Sequence, residues 1–200
     1  PDFADAWGNL GTVHFHRGER AQARSCYERA LAAEADHLEA NFNLANLLDD
    51  EGRRETALHH YKAAVRVDPA FADARLNLAL LYEGLGQYAK AEPIYQRSLK
   101  IRETKLGPEH PDVAQTLNSL AGLYQETEQY TKAEPLYQRG LKILETKLGP
   151  QHAEVADALA DLASLYQAMG QHAKAEPLYQ RSSKILEAKL GPEHPYVAAG

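Results

Sequence analysis

Cysteine is almost missing from this chain. Among its 200 residues only Cys26 carries a thiol, so no internal disulfide can form, which fits a reducing, cytoplasmic setting. Long apolar runs are missing as well. No stretch approaches the roughly eighteen residues that a membrane helix needs, and no basic-then-apolar segment opens the chain. There is no surplus of positive charge. A formal net charge of -6 argues against general nucleic-acid binding, which needs clustered Lys and Arg to displace counterions from phosphates, and it favours basic partners.

The signatures of catalysis are lacking too: no His-Glu-x-x-His, no cysteine pair for zinc, no phosphate loop and no Gly-x-Ser-x-Gly. The glycines of Gly84-Leu85-Gly86 follow a helical pattern rather than a strand, so they suggest no dinucleotide site. His59 and His60 point to adjacent faces of a helix and make a poor chelate, as do His14 and His16. The expectation is a protein that is not an enzyme and needs no cofactor or metal. The chain starts at Pro1 and stops within "YVAAG" as a new pattern begins, which reads as part of something longer.

What is present is repetition. "AEPIYQRS" (Ala91–Ser98), "AEPLYQRG" (Ala133–Gly140) and "AEPLYQRS" (Ala175–Ser182) recur every 42 residues, in step with "KLGPEHP" at Lys105–Pro111 and Lys189–Pro195 and with "KLGPQHA" at Lys147–Ala153. Upstream the period is 34: Ala23, Ala57 and Ala91; Tyr27, Tyr61 and Tyr95; Leu10, Leu44 and Leu78. Units beginning at residues 4, 38, 72, 114 and 156 align the whole chain, with residues 198–200 starting a sixth. Each unit predicts two helices. The first has apolar residues at helical spacing, for example Leu76, Ala79, Leu80 and Tyr82. A glycine-centred turn follows, with Glu128 replacing glycine in the fourth unit. The second helix carries Ala, then Tyr four residues on, then a small residue. No single pair can bury its apolar face alone, so the pairs must stack.

Trp7-Gly8-Asn9-Leu10-Gly11, followed by Ala23, Tyr27 and Ala30, resembles the tetratricopeptide repeat, and Pro69 falls where that repeat ends with proline. The 42-residue units are similar to the variant of kinesin light chains and many bacterial repeat proteins. The resemblance implies an all-α, right-handed superhelical solenoid of antiparallel helix pairs that binds other proteins.

The repeated loop invites a catalytic reading through His110, His152 and His194. Packed helices stand about 10 Å apart, so three equivalent histidines cannot share one ion. The loop is expected to be punctuation: the second helix continues to Gly107, Gly supplies a left-handed cap, Pro108 blocks resumption, and Asp112 caps the next helix. Pro93, Pro135 and Pro177 sit early in the second helices, where a missing N–H costs little, and predict a slight bend there.

The resemblance places positions 2, 6, 9, 12 and 13 of each unit on the concave face. Position 6 carries Asn9, Asn43, Asn77, Ser119 and Asp161. An amide can donate to a peptide carbonyl and accept from a peptide N–H at once, so an Asn ladder can hold an extended backbone. Position 2 carries Asp5, Glu39, Asp73, Gln115 and Asp157, and Asp49, Asp50, Glu83 and Glu126 lie near the far ends of the same helices against His16 alone. Such a field attracts cations. The expected ligand is an extended, basic or neutral peptide. A carboxylate clamp for acidic chaperone tails would need Lys and Arg where Gly8, Asp73 and Asn77 stand, although its Asn has a counterpart in Asn43. The acidic positions also contradict the basic cargo groove of kinesin light chains. Alternatives are an architectural or self-assembling spacer, joined through an apolar C-terminal end at Leu178, Ile185 and Leu186, or a regulatory arm of a larger protein.

Overall fold

The computed structural model describes residues 2–190 and folds them into ten helices with no strand among them. They are α1 (Asp2–His16), α2 (Arg20–Ala33), α3 (Leu38–Asp50), α4 (Arg54–Val67), α5 (Ala72–Gly84), α6 (Tyr88–Leu106), α7 (Pro111–Glu126), α8 (Tyr130–Leu148), α9 (Ala153–Ala168) and α10 (His172–Leu190). His194 and residues 198–200 lie outside the described residues. The contacts form two compact units, residues 1–98 and 99–200. In the first, α1 packs on α2 and α3 on α4; α2 then meets α3, α4 meets α5, and α1, α3 and α5 touch in succession. In the second, α7 packs on α8, α8 on α9 and α9 on α10, and α7 touches α9.

Local chemistry sets these helices. The turns within pairs carry Gly18, Gly52, Gly86 and Gly170 at φ of 69 to 77°, a left-handed conformation that costs glycine nothing. Glu128 takes the same conformation at φ 56° with a side chain that disfavours it. Ala23, Ala57, Ala91 and Ala133 are fully buried, and the tyrosines four residues on, Tyr27, Tyr61, Tyr95 and Tyr137, are 0–5% exposed. Tyr27 lies so close to α1 that a Cβ on Gly11 would come within 2.5 Å of its ring. Only the absent side chain allows that approach. In the second unit Val113, Leu117, Ile143, Val155, Leu159 and Ile185 form one continuous core shared by both pairs.

The long second helices of the 42-residue units run to Leu106 and Leu148 and stop at Gly107 and Gly149, with φ of 88 and 90°. Asp112 is not the cap of the helix that follows. His110 is, accepting from the Asp112 N–H through Nδ1 at 3.2 Å with Pro111 in the first helical position. His152 does the same for Glu154 at 3.4 Å. An imidazole nitrogen two residues upstream reaches that N–H as well as an aspartate would, and proline fits where no N–H is needed. Arginines of the next pair tie these loops down. Arg139 binds Glu103 at 2.7 Å and the Pro108 carbonyl at 3.1 Å, and Arg181 binds Glu145 at 2.5 Å and the Pro150 carbonyl at 3.4 Å.

The apolar positions divide by exposure. Leu80, position 9 of its unit, is 44% exposed, while Leu76, Ala79 and Tyr82 of the same helix are buried. At the C-terminal end Ile185 is buried at 1% and Leu178 and Leu186 are partly buried, so the exposed ring of α10 is Tyr179, at 36%.

Candidate functional site: the first-helix face

In the first unit, α1, α3 and α5 bring the position-6 asparagines to one side. Asn9 is exposed, while Asn43 and Asn77 are half-buried. Each of the latter two donates backward to the first helix of the preceding pair, Asn43 Nδ2 to Thr12 Oγ1 at 3.4 Å and Asn77 Nδ2 to Asn46 Oδ1 at 2.8 Å. The tyrosines of the second helices reach the same acceptors: Tyr27 donates to Thr12 at 3.5 Å and Tyr61 to Asn46 at 2.7 Å. Burial, with Asp49 nearby, pushes the Tyr61 hydroxyl pKa far up. The ladder thus joins one pair to the next, and Thr12 and Asn46 are its missed half. Their signal was available: each is a polar side chain three residues after Asn9 or Asn43, on the same helical face. The bond takes one donor of each amide and fixes the plane in which the other donor and the carbonyl are held.

The acidic residues divide by environment. Asp5 accepts from His37 Nε2 at 3.0 Å, and Glu39 stands 3.8 Å from the other ring nitrogen of His37. Asp50 pairs with Arg20 at 3.1 Å. Asp73 is exposed at the start of α5. Burial raises the pKa of the Asp49 carboxyl, with Asp50 adding to the rise and Arg54 opposing it. Glu83 accepts from the Tyr95 hydroxyl, whose pKa is raised by burial and by that carboxylate. Much of the negative charge in this unit is therefore held within the fold. His16, the one positive candidate on this face, is exposed at the end of α1.

The second unit is different. Gln115 accepts from Arg102 Nη1 at 3.0 Å, Ser119 is half-buried, and Glu126 is exposed at the end of α7. Gln125 donates to Ser164 at 3.1 Å, and its Oε1 is buried without a hydrogen-bond partner. Asp157 and Asp161 lie one turn apart on α9, both exposed. Like charges at that spacing repel. Among the described residues neither has an ion-pair partner, and the Asp161 pKa is raised by the protein around it first and by Asp157 second. Among the described residues no cluster of three His, Cys, Asp or Glu could hold a metal.

No helix among the described residues is long and apolar enough to cross a membrane. A family profile described as tetratricopeptide repeat matches residues 2–70, 71–146, 120–188 and 154–199. Comparison with curated proteins gives no significant match. Among solved structures, BtubC (BKLC) from P. vanneervenii is similar over 93% of this chain and 80% of its own, at 24% identity and a TM-score of 0.79. A putative kinesin light chain of Podosopora anserina with nearly identical TPR-like repeats is similar over 93% and 96%, at 22% identity and 0.76. YrrB, a TPR protein with an unusual peptide-binding site, is similar over 96% and 89%, at 17% identity and 0.69. At these identities the likeness is one of fold.

Proposed function

The chain belongs to the tetratricopeptide repeat family, a fold that serves as a scaffold for protein–protein interaction, and from that premise we propose that it captures an extended, basic or neutral peptide along its first helices. The observation that carries this is the Asp157–Asp161 pair. Two exposed carboxylates one turn apart, one of them with a raised pKa, lower the stability of α9 and gain a partner when a Lys or Arg side chain lies between them.

In the first unit Asn9, Asn43 and Asn77 are the groups proposed to follow the ligand backbone. Asn43 and Asn77 offer it the carbonyl and N–H that their bonds within the fold leave over. Each contact would be worth about 1 kcal/mol net, so the mode needs several together. Exposed Leu80, three residues after Asn77, adds an apolar contact for a ligand side chain. Asp5, Glu39, Asp73 and Asp50 complete the proposed face of the first unit, with Asp5 and Asp50 acting through the net field because His37 and Arg20 already hold them, and Ser119 joins Asp157 and Asp161 as a proposed contact of the second. In this reading the protein is not an enzyme and its partner is a protein segment.

The test is fluorescence anisotropy with two labelled, unstructured peptides, one Lys/Arg-rich and one Asp/Glu-rich. The basic peptide should bind, more weakly in salt, and Asp157→Asn/Asp161→Asn should weaken it at least several-fold. Asn9→Ala/Asn43→Ala/Asn77→Ala should weaken it without loss of helicity. Preference for the acidic peptide, or indifference to the aspartate pair, would defeat the proposal.

A further inference from the structure

A recess of about 410 Å³ opens in the first unit where α4 passes the loop between α2 and α3. None of the residues proposed for the first-helix face lines it. Its origin can be read from the repeat. Six residues after the buried alanine, the other second helices carry Arg29, Arg97, Arg139 and Arg181, and α4 carries Ala63. Arg139 and Arg181 lie across the loop that precedes their own pair, bonded to the Pro108 and Pro150 carbonyls, and Arg29 covers the Trp7 ring at 4.5 Å. Ala63 leaves that place open. Asn41 and Arg66 hold the loop instead, Asn41 through the Ala35 carbonyl at 3.0 Å and Arg66 through Asp36.

A second departure from the repeat lines the same recess. The fourth residue of a unit and the residue three after its buried alanine are Leu117 and Leu136 in the fourth unit, and Leu159 and Leu178 in the fifth. In the second unit they are Asn41 and His60. Asn41 is 2% exposed. Its amide donates to the Ala35 and His37 carbonyls, both at 3.0 Å, so its oxygen must accept, and His60 Nδ1 donates to it at 2.9 Å. That bond fixes the tautomer. Nε2, across the ring, keeps a lone pair with no hydrogen-bond partner among the described residues. Burial first and His59 second lower the His60 pKa, so the ring is neutral at neutral pH. A leucine pair would fill this place without needing any of these bonds, so stability alone does not account for the polar one.

We propose that the recess binds a phosphate monoester carrying a small apolar or aromatic body. The charged residues of its lining are Lys62 and Arg66 against Asp36 alone, a balance that opposes a cation and draws an anion. Lys62 is exposed, with its ammonium 5.6 Å from the Tyr82 ring centre, and Arg66 keeps the N–H groups that Asp36 does not take. A carboxylate offers only acceptors and sets them against the Nε2 lone pair. A phosphate monoester, whose second pKa is about 6, brings a proton for Nε2 while its other oxygens accept from Lys62 and Arg66. Leu31, Ala35 and Ala63 form the apolar wall on which its body lies.

The test titrates the whole chain with phenyl phosphate, followed by phosphorus and amide NMR. Saturable binding is expected, with shifts centred on Ala35, His60 and Ala63. Ala63→Arg places in the recess the side chain that the other second helices carry. It should weaken binding about tenfold or more with helicity unchanged, the ratio that loss of one hydrogen bond to a charged group gives. Asn41→Leu/His60→Leu, which installs the leucines of the later units, should do the same. Phenylacetate should bind more weakly for want of a proton, and inorganic phosphate for want of a body. Absence of saturable binding, binding that survives Ala63→Arg, or equal affinity for either of these two anions would overturn the inference. A short phosphotyrosine peptide distinguishes the sources of such a group. Tighter binding than phenyl phosphate assigns the recess to a phosphorylated side chain of a partner, and exclusion of the peptide assigns it to a free ester.

Discussion

His37 binds the Ala40 N–H with one ring nitrogen, at 3.1 Å, and Asp5 of α1 with the other, at 3.0 Å. Capping of α3 and the joining of two helix pairs are therefore carried by one imidazole, 6% exposed. The acceptor role of Nδ1 fixes the tautomer: Nε2 carries the proton and donates to Asp5. His37→Ala removes both bonds and is expected to cost about 1–2 kcal/mol in urea unfolding. His37→Asn should recover the cap and not the link to Asp5. A loss below a few tenths of a kcal/mol for the alanine variant would show that water replaces the ring at no cost.

Glu128 is the one described residue other than glycine with a positive φ, at 56°, where the other pair turns have glycine. Glu128→Gly relieves that conformation and is expected to raise stability by about 1 kcal/mol, reduced in part by the greater freedom of glycine in the unfolded chain. Glu128→Ala keeps a Cβ and should give little of the gain. Thermal unfolding of the two variants side by side distinguishes relief of the backbone from removal of a charge.

The bonds from Arg139 to Glu103 and to the Pro108 carbonyl fasten the last turn of α6 and the loop behind it. Both side chains of the ion pair are about a third exposed, so solvent screens it, and Arg139→Ala is expected to cost about 1 kcal/mol. Arg139→Lys should restore less than half, because an ammonium cannot fork between a carboxylate and a carbonyl. Hydrogen exchange provides the local measure: amides of residues 105–110 should exchange faster in the alanine variant while the α9 core is unchanged.

Asp161 gives a prediction with a defined sign. Its pKa is raised in the fold, so the folded protein holds the proton more tightly than the unfolded chain does. The favourable contribution is present below the unfolded pKa and is lost as pH rises through the folded one. At neutral pH the carboxylate is therefore a burden, and Asp161→Asn should raise the melting temperature. The gain should shrink as pH falls through the carboxylate range and the native side chain becomes neutral. If the same substitution also weakens the basic peptide, the charge is kept for binding at the expense of stability. A variant less stable at neutral pH would contradict the crowding of this carboxylate.

The period of the sequence determined the helix pairs. Apolar spacing, buried Ala and Tyr and the turn glycines act within one or two turns of the chain, so Tyr27, Tyr61 and Tyr95 announced their burial by recurrence alone, and Gly107 announced the end of α6. The same local signals failed at Asp112, because His110 accepts from the Asp112 N–H and so caps a helix that already includes Asp112, which only the loop geometry decides. They failed at Ile185, where exposure depends on which neighbouring helix is present rather than on spacing. Position on the first helices could likewise be counted from the sequence, but not what each polar group already holds. That Asp5 is taken by His37 and Asn77 by Asn46, while Asp157 and Asp161 have no ion-pair partner among the described residues, was settled by residues some thirty positions apart meeting across helix pairs. Hydrogen bonds and charge interactions act at contact distance in space, and only packed helices bring such residues to it.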